Sequence, residues 1–543
     1  MLRHLALASM AVNLLIVNAK VWTGDPRRPW ADAVAIEGDR IAAVGSSAEL
    51  RKRAGDDRVI DAHGAMVTPG FIDSHVHFLA GGFRLASVQL RDATTPEAFV
   101  ARIKAFAATV PKGTWIVGGD WDHQHWGGAL PTHAWVDSIT PDHPVLVTRL
   151  DGHMALANAL AMRLAGLTRA TADVPGGEIV RDAAGEPTGI LKDNATGLVD
   201  RARPAPSVEM NDRALAAAMR YLNAQGVTSV HSVASDDDSW SELATFDRAR
   251  AEGRLTTRIY VNLPLQDWER VAALVRQRGG RGDAWLQWGG LKGFVDGSLG
   301  SHTAAFLEPY TDAPNDRGFS VTSLEDRYRW IKGADAAGLQ VAVHAIGDRA
   351  IREQLDLFAR VARENGPRDR RFRIEHAQHI APADFVRFAE IGVIPSMQPY
   401  HAIDDGRWAT RVIGPARSEG TYAFKSLLDA GARLAFGSDW FVAPPTVLEG
   451  IYAAVTRRTL DGANPGGWVP SQKITVEQAL RAYTAGSAYA GFQEGDRGML
   501  KAGMLADLVM IDRDLTRIPP ETIKDAQVLL TMVGGKVVYE LQP

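Results

Sequence analysis

The sequence predicts an α/β protein: a (β/α)8 TIM barrel with a β-sandwich domain built from both termini and an inserted subdomain after the first barrel strand. Three observations predict it. Buried-type strands alternate with helical stretches through the middle of the chain, which implies a parallel sheet. Short β runs with Gly turns occupy both ends. An oversized connection follows the first strand of the middle, far longer than a single βα link needs.

The N-terminal part of the sandwich is expected over residues 1–68. It carries "NLLIVNAKVWTGD", "ADAVAIEGDRIAAVG" and "DRVIDAHGAMVTPG", with "EGDR" as a hairpin turn. The barrel is expected over 69–490. Its eight strands begin with "AMVTPGFIDSHVH" and continue through "GVTSVHSV", "TRIYVNLP", "GGLKGFVDG", "LQVAVHAIGD", "RFRIEHAQ", "GVIPSMQPY" and "RLAFGSDW". Helical stretches such as "DRALAAAMRYLNAQ" and "AIREQLDLFARVAREN" separate most of them. The insertion, about 80–220, has strands of its own in "TWIVGGDW" and "HPVLVTRL" and is expected to cap the substrate site. Residues 491–543 return to short β runs and complete the sandwich. A chain of 543 residues suits this plan, because α/β barrels exceed the usual size of one domain.

Apolar residues make up 46% of the chain and charged residues 23%, as in ordinary globular proteins. Sixty basic against 64 acidic residues give a net charge of −4, and the basic residues are scattered, so a nucleic-acid partner is not expected. There is no cysteine, which excludes disulfides, thiolate nucleophiles and Cys-based zinc sites. No Gly-rich phosphate loop follows a strand, which argues against nucleotide-dependent chemistry. The start, "MLRHLALASMAVNLLIVNAKVW", resembles a signal peptide with a short apolar region that runs directly into a strand. A cytoplasmic protein is therefore expected, with export as the alternative and Met10 as a second candidate start. No other apolar run approaches the ~20 residues that span a bilayer, so no membrane association is expected. A homodimer is the default assembly.

Barrel active sites lie at the C-terminal ends of the strands. The first strand ends in His75 and His77, the fourth carries Lys292, the fifth ends at His344, the sixth at His376 and the eighth at Asp439. His344 and His376 are separated by about one βα unit, roughly 30 residues, and His376 and Asp439 by about two. Residues i and i+2 of a strand face the same way, so His75 and His77 project together into the barrel mouth. Four imidazoles and a carboxylate meeting there would be costly with nothing to bind. A divalent metal resolves that cost, and nitrogen with carboxylate ligands suits zinc. Lys292 is the odd member. Burial would lower its pKa and free a neutral amine, which can take up carbon dioxide as a metal-bridging carbamate. A salt bridge to Asp296 or Asp439 is the other reading of the same residue.

"PGFIDSHVH", "VHAIGD", "EHAQ" and "GSDW" together resemble the amidohydrolase superfamily over nearly the whole chain. "KGFVDGSLGSHTAAF" and "DGHMALANALAM" resemble a branch that includes N-substituted formamide deformylases. The resemblance implies one metal on His75, His77 and Asp439, a second on His344 and His376, and a carboxylated Lys292 bridging them. One or two metals, expected as Zn2+, are thus implied. It also implies hydrolysis of a carbon–nitrogen bond other than a peptide bond, with Asp439 as general base to a metal-activated water. The branch often has Arg where this chain has His302, which bears on substrate recognition.

Substrate contacts are read more thinly. His153 in "RLDGHMALAN" is a candidate for the substrate carbonyl, against a His that caps its own loop. Trp121, with Asp122 and Trp126 in "GGDWDHQHWGG", offers an aromatic wall, against a core cluster. His123 and His125 in the same stretch read as a solvent-facing loop. Gln398 ends the seventh strand, and Asp296 and His302 follow the fourth, so all three are candidates for the pocket. The small-molecule substrate is expected to be of amide type. An isomerase or decarboxylase on the same site, or a binding protein with a decayed site, are the alternatives.

Overall fold

The computed structural model describes residues 14–52, 58–233 and 239–542; the N-terminal apolar run and Met10 lie outside them. Eight parallel strands form one sheet in chain order: β1 Phe71–Val76, β2 Val227–Val233, β3 Arg258–Pro264, β4 Leu286–Phe294, β5 Gln340–Ala345, β6 Arg373–His376, β7 Ile394–Met397 and β8 Ala435–Phe436. Hydrogen bonds between the ends of the first and last strands close the sheet into a barrel. Asp439 N–H donates to His75 O at 2.7 Å, and His77 N–H donates to Trp440 O at 2.7 Å. The β8–β1 seam is tight because residue 437 is glycine. A Cβ there would lie 2.5 Å from the His75 nitrogen.

The crossover helices follow from amphipathic spacing. Helix Asp348–Asn365 buries Ile351, Leu355, Phe358 and Val361, a 3–4 residue repeat that lays one stripe on the barrel, and Gly366 at φ 80° ends it. Helix Val208–Ala224 is capped by the Ser207 side chain, which accepts from Met210 N–H, and buries Leu215, Ala218, Met219 and Leu222.

Two sheets pack face to face at the end of the chain's path. One contains only N-terminal strands, among them Leu14–Val17, Ala33–Glu37 and Arg40–Gly45. The other joins Met66–Pro69, Lys20–Trp22 and Trp30–Ala31 to the C-terminal Leu508–Ile511, Val528–Val533 and Lys536–Glu540. Their shared core holds Leu14, Ile16, Val34, Ile36, Val67, Leu508, Leu530 and Met532, so both termini build the sandwich. The stretch "AMVTPGFIDSHVH", read as one strand, is two. Met66–Pro69 pairs antiparallel with Leu508–Ile511, and Phe71–Val76 enters the barrel. Gly70 makes the switch, and a Cβ there would sit 2.3 Å from Thr228.

The insertion after β1 folds on its own mixed sheet, from Val88–Gln89 and Ile116–Trp121 to Gly177–Arg181 and Pro187–Asp193. Separate apolar clusters cover its two faces, one around Phe99, Trp121 and Val147, the other around Leu146, Ala161 and Leu191. Among the described residues, no helix is long and apolar enough to cross a membrane.

Candidate metal centre

β1 ends at the barrel mouth with His75 fully buried, and His77 follows as the residue before helix Phe78–Arg84. Both imidazoles face one carboxylate oxygen. Asp439 Oδ1 lies 3.3 Å from His75 Nε2 and 3.2 Å from His77 Nε2. His376 completes the group: His75, His376 and Asp439 each bring a ligand atom within 4.8 Å of the others. The His344 ring is 4.5 Å from the His376 ring, and Lys292 Nζ is 3.3 Å from His75 Nε2. The residues singled out at the strand ends therefore meet in space. The tightest triad crosses the two sets that the family resemblance implies, taking His75 and Asp439 from one and His376 from the other.

Neighbouring groups fix the tautomers. Nδ1 of His75 donates to Glu375 Oε2 at 2.5 Å, and Nδ1 of His376 donates to Gln398 Oε1 at 2.9 Å. Each leaves Nε2 as a lone pair directed at the centre. His344 is turned the other way, with Nε2 donating to Gly297 O at 3.0 Å, so its Nδ1 is the free nitrogen. Asp439 Oδ1 is buried and makes no hydrogen bond. Imidazole lone pairs and an orphaned carboxylate oxygen aimed at one point suit a divalent cation with nitrogen and oxygen ligands.

The backbone bends to make this arrangement. Glu375 and His376 are consecutive, so a regular strand would send them to opposite faces. His376 and Ala377 instead have φ of 70° and 43°, and Asp439 has φ 59°. Left-handed backbone at non-glycine residues is costly and collects at functional sites.

The electrostatics follow from burial. Desolvation depresses the pKa of His344 and His376 well below the usual imidazole value and lowers that of His77, so these rings are neutral and can ligate. Burial pushes Lys292 down to about 8. Its amine has no carboxylate partner among the described ion pairs, so the salt bridge to Asp296 or Asp439 does not form.

Several expected substrate contacts have other duties. Trp121 is fully buried in the insertion core, donates from its indole to Val147 O and packs edge-on against Phe99. Of its two readings, pocket wall or core cluster, the structure shows the core: the strand Ile116–Trp121 turns the ring inward. Asp296 is fully buried, and its two oxygens accept the backbone N–H groups of Ala305, Ile346 and Gly347, which leaves it holding loops and not substrate. Gln398 is fully buried and spent on His376. His123 and His125, expected in solvent, are drawn in as acceptors from Arg149 and Arg407.

His153 and His302 stand differently. His153 reaches over β5 from the insertion, with its ring 4.9 Å from that of His344 and its Nδ1 donating to Asp193 at 2.6 Å. His302 bonds Asp312 at 3.0 Å on the wall of a cavity of about 460 Å³. Met154, the neighbour of His153, lines the same cavity, as do His123, Lys192 and Arg411.

Glu375 and Arg373 were missed. Arg373 is fully buried and pairs with Glu375 at 2.8 Å while donating to Ser74 O and Ser396 Oγ. An Arg and a Glu two residues apart in a barrel strand, just before the strand-ending His376 in "RIEH", were the available signal.

A closed (β/α)8 barrel whose strand ends gather imidazoles and an aspartate defines the class of metal-dependent hydrolases. The amidohydrolase family profile matches residues 58–539, and the chain belongs to that family. It is 40% identical to Protein LONG AFTER FAR-RED 3 of Arabidopsis thaliana, over 98% of this chain and 92% of that one. It is 30% identical to the N-substituted formamide deformylase of Arthrobacter pascens, over 97% and 98% respectively. Among solved structures it is similar to an uncharacterized metal-dependent hydrolase of Pyrococcus horikoshii, with TM-score 0.76, 27% identity and coverage of 93% and 99%.

Proposed function

We propose that this metal-dependent hydrolase cleaves a carbon–nitrogen bond of a small non-peptide amide or formamide-like substrate, with one or two zinc ions at the barrel mouth. The observation that carries the reading is the convergence of His75, His376 and the orphaned Asp439 oxygen, with His77, His344 and Lys292 beside them. The likeness to an N-substituted formamide deformylase along the whole chain supports the bond type.

His75, His77 and Asp439, with His376, His344 and a carboxylated Lys292, would hold the metal. When bound, it supplies Lewis acidity and a water whose pKa falls to about 7. Asp439 would act as general base towards that water and would deliver the proton to the leaving nitrogen. His153 donates to the substrate carbonyl. Burial would depress its pKa, but the Asp193 carboxylate outweighs this and raises it, which favours the donor form. Glu375 and Gln398 keep His75 and His376 in register.

The test is zinc-loaded protein against N-substituted formamides and simple amides, with amine and acid both quantified. Asp439→Asn is expected to lower turnover at least about 100-fold, the scale of a lost general base, while metal stays bound. Turnover near wild type in that variant would refute the base assignment.

A further inference from the structure

Strand β7 is the one strand between β4 and β8 without a candidate ligand at its end. Its last residue runs into Gln398 and then helix Pro399–Asp405. In the first turn of that helix, His401 N–H donates to Gln398 O at 3.2 Å. Its Nε2 is buried and has no hydrogen-bond partner among the described residues. Buried polar atoms are almost always satisfied, and an exception marks a site that something else completes.

The surroundings say what completes it. The charges that act on the ring are Asp439, Asp404, Arg91 and His75. Asp404 is taken by Arg407, and Arg91 donates to the carbonyl oxygens of Phe441 and Val442. Asp439 and His75 belong to the metal centre. Among the described residues no protein atom claims His401 Nε2, while two of the charges acting on its ring, Asp439 and His75, are those of the centre. β7 neighbours β8, which is joined to β1, whereas His153 stands over β5. The two histidines therefore stand at strand ends on either side of β6, which carries His376. Burial lowers the His401 pKa, so the ring is neutral with one N–H to give.

We propose that His401 is a substrate-contacting residue whose Nε2–H donates to an oxygen of the carbonyl-type ligand held at the centre. This rests on the proposed reading of that centre as a metal site for carbonyl substrates. His401 thus supplies the contribution of β7 to the substrate pocket, as Gln398 supplies its contribution to the ligand shell.

The probe is acetohydroxamate, which offers one carbonyl and one hydroxyl oxygen to a metal. Its Kd is measured by calorimetry on the zinc-loaded full chain, for wild type, His401→Leu, His401→Phe and His401→Gln. Metal content and the thermal midpoint are read on each. Leu and Phe are expected to weaken binding about tenfold, the loss of one hydrogen bond, at unchanged metal content. Gln, which keeps an N–H donor, is expected to recover most of the affinity. Either donor-free variant suffices if the other does not fold. Equal affinity in wild type and the donor-free variants, including none in any, would overturn the proposal. So would metal loss in step with affinity, because His401 would then be a ligand or a structural residue. Hydroxamate binding requires no turnover, so failure of amide hydrolysis leaves this result standing, and its own failure leaves hydrolysis untouched.

Discussion

An imidazole offers a metal one nitrogen only when the other is occupied. Glu375 does this for His75, Gln398 for His376 and the Gly297 carbonyl for His344. Replacing Glu375 by Gln keeps a bonding group but removes its charge, and metal affinity is expected to fall 10–100-fold, the usual cost of altering an outer partner. Competition with a calibrated chelator measures it, and unchanged affinity would show the carboxylate to be incidental. Lys292 gives a pH test in metal-free protein. Its folded pKa of about 8 lies below its ordinary 10.5, so the protonated amine destabilises the fold. That penalty is fully present below pH 8 and fades as pH rises towards 10.5. Metal-free Lys292→Met is therefore expected to be more stable than wild type by on the order of 3 kcal/mol near pH 6–7. The gain should shrink towards pH 10; a pH-independent difference in denaturant midpoint would contradict it. The converging ligands were legible because residue type coincided with strand ends. Glu375 was not, since its meaning lies in a partner 300 residues away.

At the scale of elements, β8 is only two residues long, yet it closes the barrel through Gly437 and the backbone bonds between the Asp439–Trp440 and His75–His77 segments. The same bonds set the distance between Asp439 and the two histidines, so closure and ligand geometry are one construction. The insertion was legible as an element, from a connection too long for one helix. Its orientation was not: "TWIVGGDW" reads as a strand, but its sequence leaves Trp121 open between a pocket wall and a core cluster, and Ile116–Trp121 turns Trp121 into the core. Trp121→Ala is expected to destabilise the fold by about 3–5 kcal/mol. Trp121→Phe should cost less and leave KM unchanged, because the side chain does not reach the pocket. A KM shift in the Phe variant with little loss of stability would restore Trp121 as a pocket wall.

At the scale of the molecule, alternation of strand and helix announced the barrel, and the β-rich ends announced the sandwich. The sequence counted Met66–Pro69 both in the sandwich, expected to residue 68, and in the first barrel strand, because apolar strands of both sheets look alike until their partners are known. The two bodies share that continuous segment, so the strand bearing His75 is anchored from below by the sheet that the C-terminus completes. All of this serves one claim, that the barrel mouth is a metal centre. The direct test is metal content per chain by plasma mass spectrometry, on wild type and Lys292→Ala purified without chelator. A metal centre at the barrel mouth requires at least one divalent metal per wild-type chain and a lower content in the variant. Folded wild type that carries no metal, and takes up none when zinc is added, would contradict it.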